Sequence, residues 1–425
     1  MILRFPNSSL FLAVALTALL ATTSSAQTDF IVPAGQTVTY DTAQGPIEAR
    51  DVLVEPGGVL RVVASPSGLF GTFQPLRVRA SRKLRVDGTI ELSGAAGSDA
   101  ELFLVNALPV HGGAGGVLGG RGGFGNPNTS TWSTRGGRAL GFLGTVHPFA
   151  AFGGESAYGL AAQSLRRAGG GGGGALGPDE PLPFPPTALQ NVGRIAFDGR
   201  DGSTTATGAE SLALVPRGGA KAQLPFVDGN PANDFYGRAL DPISGAIVQG
   251  ELSSPTPGRS GAGGGNSIAS TTFPPSFPWS DQQQSVGGGG GGAGGLAILI
   301  APRVEIGTTG RVRANGGAGG AGENSNGLDR IGGGGGGGSG GMILFQARVI
   351  DLTQAQAGAV SALGGRGGRG ANNVFDAVGG GGNGGPGLIQ FHVPLGASSV
   401  QLPSGLTLSD VSTPTAKLLI PEPTL

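Results

Sequence analysis

Cysteine is absent from this chain, which excludes disulfides, thiolate metal sites, cysteine nucleophiles and attachment through a lipidated cysteine. Net charge is absent as well. The 27 Lys and Arg residues balance 27 Asp and Glu, so the chain carries no electrostatic footprint for nucleic acid or an acidic membrane. Lysine is confined to Lys83, Lys221 and Lys417, leaving nearly all positive charge on arginine, whose planar, multiply donating head suits carbonyl-rich surfaces. Lys, Glu and Met, which favour helices, are scarce, and that points to an all-β protein. The histidines are His111, His147 and His392; they form no H-E-x-x-H or paired metal spacing. After Leu10–Leu20 no apolar run reaches the roughly 18 residues of a membrane helix.

What is abundant is glycine, 87 of 425 residues, together with 30 prolines. That fraction suggests low complexity. The 38% hydrophobic content and 13% charge argue instead for a chain that buries a core, because disordered segments are poor in hydrophobics and strongly charged. At the N-terminus, Arg4, the apolar stretch Leu10–Leu20 and the small residues Ser24-Ser25-Ala26 read as a secretory leader cleaved after Ala26. The expected product is exported, to the extracellular space or the cell surface, and stabilised by its core alone.

Two tandem units align almost element for element. "VGGGGGGAGGLAILIAPRVEIGTTGRVRANGGAGGAG" starts at Val286 and "IGGGGGGGSGGMILFQARVIDLTQAQAGAVSALGGRGGRG" at Ile331, with a shortened third copy, "VGGGGNGGPGLIQFHV", at Val378. The glycine runs open at Gly287, Gly332 and Gly379, 45 and then 47 residues apart. Upstream, Ala49–Ala64 and Leu76–Gly97 alternate apolar and polar residues between Gly or Pro-Gly turns, the period-two mark of half-buried strands. Short strands recurring between tight turns predict a parallel β-solenoid, or β-helix, with glycine-rich, polyproline II-like arms. The expected divisions are a leader over 1–26, solenoid coils over 27–100, long Gly/Pro/Phe-rich insertions over 101–285, tandem repeats over 286–393, and a tail or cap over 394–425.

Three readings compete for the glycine runs. A flexible linker is a random coil, but these runs recur inside a repeat. A phosphate cradle leads into a helix and, in the P-loop, ends in Gly-Lys; no Gly-Lys pair exists, and strands follow the runs. The favoured reading is a threefold helix rising about 3.1 Å per residue, so that seven glycines span roughly 22 Å. Lacking Cβ atoms, such helices pack backbone to backbone, and several side by side offset the entropy of ordering glycine. With "DGTIELSGAAG", "GRVRANGGAGG" and "GGGGGGGSGGMILF", the chain resembles the Gly-rich β-helix-type repeats of bacterial surface and secreted proteins. The glycine runs alone are similar to the polyglycine-helix sandwiches of some phage tail-tip adhesins. Neither resemblance implies a catalytic residue.

The search for chemistry yields little. "GGSGG" around Ser339 matches the nucleophile-elbow pattern, but poly-Gly precedes it and a strand follows, where the elbow needs a strand before and a helix after. "GENSNGLDR" from Gly322 and "FVDGNPAND" from Phe226 gather Asx oxygens without the EF-hand register, and such turns usually bond their own backbone. "GGRGGRG", with Arg366 and Arg369, looks like an RNA-binding tract but lacks the basic surroundings; these arginines are expected to reach carbonyls. Trp132, Tyr158, Tyr236 and Trp279, with Phe235 and Phe277, lie in the irregular middle region, where they would stack on sugars or plug loop cores. The expectation is a non-enzymatic structural or surface protein without a cofactor, which associates with itself or with matrix components. A glycan-binding adhesin is the alternative. A polysaccharide lyase or hydrolase using Asp198, Asp201, Asp228 or Asp234 is the second alternative.

Overall fold

The computed structural model describes residues 28–65, 74–100, 110–125, 138–140, 150–153, 157–160, 166–179, 192–201, 203–204, 216–270, 284–323, 330–370 and 378–421. Most of its strands fall into two sheets. One has six parallel strands, in the order Thr37–Asp41, Val59–Val63, Thr89–Glu91, Arg311–Arg313, Val360–Ser361 and Ser412–Thr413. The other has twelve strands and is built around Leu76–Val86.

That strand runs for 11 residues and buries Leu76, Val78 and Ala80, then Leu84 and Val86, with the alternation slipping between the two halves. The slip has a cause across the sheet. On one side the first half pairs with Leu296–Ile300 and the second half with Arg303–Ile306. Pro302 separates those two partners and lacks the N–H needed to continue a ladder. On the other side, pairing with Ile47–Val54 shifts register between Ala49 and Asp51. The two tandem units stack in parallel: Leu296–Ile300 on Met342–Gln346 and Arg303–Ile306 on Val349–Asp351. Between the sheets, Leu60, Ile90 and Val312 share one core with Leu84, Val304 and Ile350. Phe345 and Phe391 meet edge to face, 5.2 Å apart, in that core.

The sheets do not make the parallel β-solenoid expected from the repeats. The larger sheet is mixed, because the antiparallel hairpin of Arg238–Leu240 and Ile247–Gln249 joins its edge beside Lys417–Pro421. Nor do coils follow one another along the chain. After Glu91 the chain leaves both sheets, and among the described residues it next enters them at Arg238. The intervening glycine runs lack the side chains that a pleated face needs. The result is an open pair of sheets joined to a bundle of glycine segments.

In that bundle the hydrogen bonds have a period of three. Along Val286–Leu296 the amides of Gly288, Gly291 and Gly294 reach the carbonyls of Gly333, Gly336 and Ser339. Those of Gly289, Gly292 and Gly295 reach Ser98, Ala95 and Leu92, and those of Gly290, Ala293 and Leu296 reach Gly123, Gly120 and Val117. Every distance in this set lies between 2.7 and 3.0 Å, as N–H···O bonds should. A chain whose successive amides turn to three neighbours in rotation is a threefold helix.

The run Gly332–Gly338 sits deepest. It donates to the segments 317–323, 262–265 and 379–382, and it accepts from 288–291, 171–174 and 365–368, making six neighbours. All seven glycines are buried. A Cβ on Gly336 would overlap the carbonyl of Gly172, and one on Gly337 that of Gly365. Uninterrupted glycine therefore marks a helix enclosed on every side. Where a helix has one open side, a side chain returns every third residue: Arg366 and Arg369, Asn315 and Ala318, His111 and Ala114, Arg121 and Phe124 are all partly or fully exposed.

Helix ends are closed by short polar side chains standing in for a missing carbonyl. Asn266 Oδ1 accepts from Gly287 at 3.0 Å and Asn383 Oδ1 from Gly367 at 2.9 Å. Glu323 Oε2 accepts from Val286 at 2.9 Å and Asn315 Oδ1 from Leu363 at 2.8 Å. On the outer face of the larger sheet, arginines pair with carboxylates on the same or a neighbouring strand, as in Arg50–Asp29, Arg82–Asp51 and Arg303–Asp351.

Candidate metal centre

The chain leaves the glycine bundle after Ala222 and forms a small lobe ending near Leu252. Its anchor is Phe235, 1% exposed and packed against Ala239 and Leu419. Asp241 turns the hairpin: its carboxylate accepts from the amides of Ile243 and Ser244 and from the Ser244 hydroxyl, while Gly245 takes a φ of 67°.

This lobe brings Asp228, Asp234 and Glu251 together, with one carboxylate oxygen from each lying within 4.8 Å of the others. Glu251 is held by the loop it faces. Its carboxylate accepts from the amides of Val227 and Asp228, each at 3.1 Å, and its own amide donates to the Asn233 carbonyl at 2.9 Å. Asp228 accepts from the Asn230 amide at 2.7 Å and from Asn233 Nδ2 at 2.8 Å. The Asn233 side chain, then the Asn230 amide, hold its carboxyl below the usual range.

Asp234 differs. It is 7% exposed, and among the described residues no hydrogen bond or ion pair reaches its carboxylate. Burial pushes its carboxyl up; the Lys417 charge opposes this, and the Glu251 and Asp228 charges each add a smaller upward push. The Lys417 ammonium is otherwise engaged, donating to the Pro231 carbonyl at 2.7 Å and lying 5.9 Å from the Phe235 ring. Asn233 Oδ1 is also buried without a hydrogen-bond partner. The three carboxylates form an oxygen-only donor set, the kind that suits hard divalent cations.

Of the residues singled out by sequence, Asp228 and Asp234 meet here. Asp198 and Asp201 do not: they accept from the amides of Lys221 and Gly218, at 2.8 and 2.7 Å, and serve the glycine bundle. Ser339 is fully buried, with Oγ accepting from the Arg259 amide at 2.8 Å and donating to the Gly340 carbonyl at 3.0 Å, which leaves no nucleophile. Arg366 and Arg369 lie in a bundle helix whose carbonyls accept from Gly319 and Gly322. Tyr236 is half-buried against a leucine-rich cluster. Tyr158 belongs to the strand Ala157–Leu160. Trp132, Trp279, Phe277 and His147, with most of "GENSNGLDR", lie outside the described residues. Sequence reading missed Glu251, which lies 17 residues beyond Asp234 and next to an ordinary strand.

Among the described residues no helix is long and apolar enough to cross a membrane. Set beside known protein families, curated proteins and solved structures, the chain matches none.

Proposed function

We propose that this is an exported, non-enzymatic structural or surface protein that associates with copies of itself. The observation that carries this reading is an open edge shared by both sheets. Among the described residues Phe30–Val32 pairs only with Ile47–Val54, and Thr37–Asp41 only with Val59–Val63. Ile31 on that edge is 49% exposed.

Unpaired strand edges recruit further strands. Cleavage after Ala26 leaves three residues ahead of Phe30, too few to add a covering strand. The balanced charge removes the long-range repulsion that keeps copies apart. At the opposite end the edge strands are short, three residues in Ile247–Gln249 and two each in Val400–Gln401 and Ser412–Thr413, and the short helix Leu408–Val411 adjoins the last two. Growth is therefore expected through the N-terminal edge.

Light scattering and electron microscopy of the chain from Gln27 test this. The expected result is a mass that rises with concentration and falls back toward the monomer in Ile31→Lys and Thr39→Pro. A monomer at every concentration overturns the reading.

A further inference from the structure

We infer that Asp228, Asp234 and Glu251 bind one divalent cation of the calcium class, which clamps the 226–252 lobe shut. The inference is independent of self-association. It rests on two separate observations: the convergence of the three carboxylates, and the state of Asp234 within them.

A carboxylate on a residue as buried as this normally has a hydrogen-bonded or ionic partner. Asp234 is 7% exposed, and its carboxylate has neither among the described residues. It points instead at two further carboxylates, with ligand oxygens within 4.8 Å. Lys417, the one cation whose charge acts on it, forms no ion pair with it and is bound to Pro231. As the protein groups stand, Asp234 faces two further carboxylates without a partner of its own. A cation between them turns that repulsion into attraction.

Size and donor type select the ion. Oxygens on opposite sides of calcium lie roughly 4.6–5.2 Å apart, given Ca–O distances of about 2.3–2.6 Å, so one calcium can touch all three carboxylates. Magnesium requires close to 4 Å across and near-ideal octahedral geometry. Zinc prefers nitrogen and sulfur ligands, and His392 is the lone described histidine near this lobe, bound to Gln390. Two of the acids flank the Asx-rich loop and the third follows the hairpin, so the ion ties the lobe's entry to its exit.

The test is calorimetric titration of the full chain, stripped with a chelator, against calcium chloride and magnesium chloride, with thermal midpoints in each. The expected outcome is one calcium site, magnesium at least about tenfold weaker, and a midpoint that rises with calcium. Asp234→Asn removes the unpaired charge at constant shape. That variant is expected to melt above the wild type in chelator and below it in millimolar calcium, with calcium affinity reduced at least about tenfold. Glu251→Gln, whose amide oxygen still accepts a loop amide, carries the same test should Asp234→Asn fail to fold. Absence of binding heat and midpoint shift at millimolar calcium overturns the inference, as does an equal calcium response in wild type and variant.

Discussion

The amide of Gly288 donates to the carbonyl of Gly333 at 2.8 Å, and each is the second glycine of its run. Consecutive repeats thus bond through equivalent residues, and the pattern continues from Gly291 to Gly336 and from Gly294 to Ser339. Because the run Gly332–Gly338 is buried and donates at every residue, its amides should open only with the whole fold. Hydrogen exchange should show them among the slowest in the chain. Fast exchange across the run would rule out an ordered bundle.

Glycine at enclosed positions is a steric requirement, whereas the open sides accept other residues. Gly336→Ala drives a methyl into the Gly172 carbonyl and should destabilise by about 3 kcal/mol. Ala318 lies on the exposed side of its helix, so Ala318→Ser should stay within about 0.5 kcal/mol of the wild type. Denaturant titration of both variants measures the contrast, and equal effects would contradict the enclosure.

Ser339 replaces glycine inside an enclosed helix, and its hydroxyl serves the backbone. Ser339→Ala strips the Arg259 amide of its side-chain acceptor and should cost about 1–3 kcal/mol. Ser339→Gly should cost a similar amount. A stability equal to the wild type in both variants would show that the hydroxyl is dispensable.

Burial lowers the His392 imidazole from its ordinary 6.5 to about 4. The unfolded chain therefore takes up the proton first. Stability is at its full value above pH 6.5 and declines as the pH falls toward 4, by roughly 3 kcal/mol in total. Unfolding of wild type and His392→Gln at pH 7 and pH 4 checks this. The variant should lose less stability between the two, and parallel losses would exclude His392 as the cause.

Local structure was legible where side chains alternate. The strands Ile47–Val54, Val59–Val63 and Leu76–Val86 fall within the apolar-polar stretches, and the tandem units carry matching strands. Assembly was not. The partner of Leu76–Val86 begins at Leu296, and nothing in either segment names the other. A closed solenoid was the natural reading of the repeat, but the hairpin at Arg238–Gln249 and the long glycine detour replace it. One further signal was present in plain form: the triplet period of G-G-R-G-G-R marks a helix with one open side, and unbroken glycine marks an enclosed one. At the acidic site, the Asx-rich loop showed Asp228 and Asp234. Glu251 carries no local signature, because its role arises from the hairpin that returns it to the loop.

The six neighbours of Gly332–Gly338 come from sites between Gly171 and Gly382, and this bears on when the protein can fold. The innermost helix lacks one of its walls until Gly379–Gly382 has been synthesised, and contacts of such long sequence separation form slowly. The bundle therefore closes only after nearly the whole chain is present. Until then the glycine runs lack the backbone partners that offset the entropy of ordering glycine, so order arrives in them last.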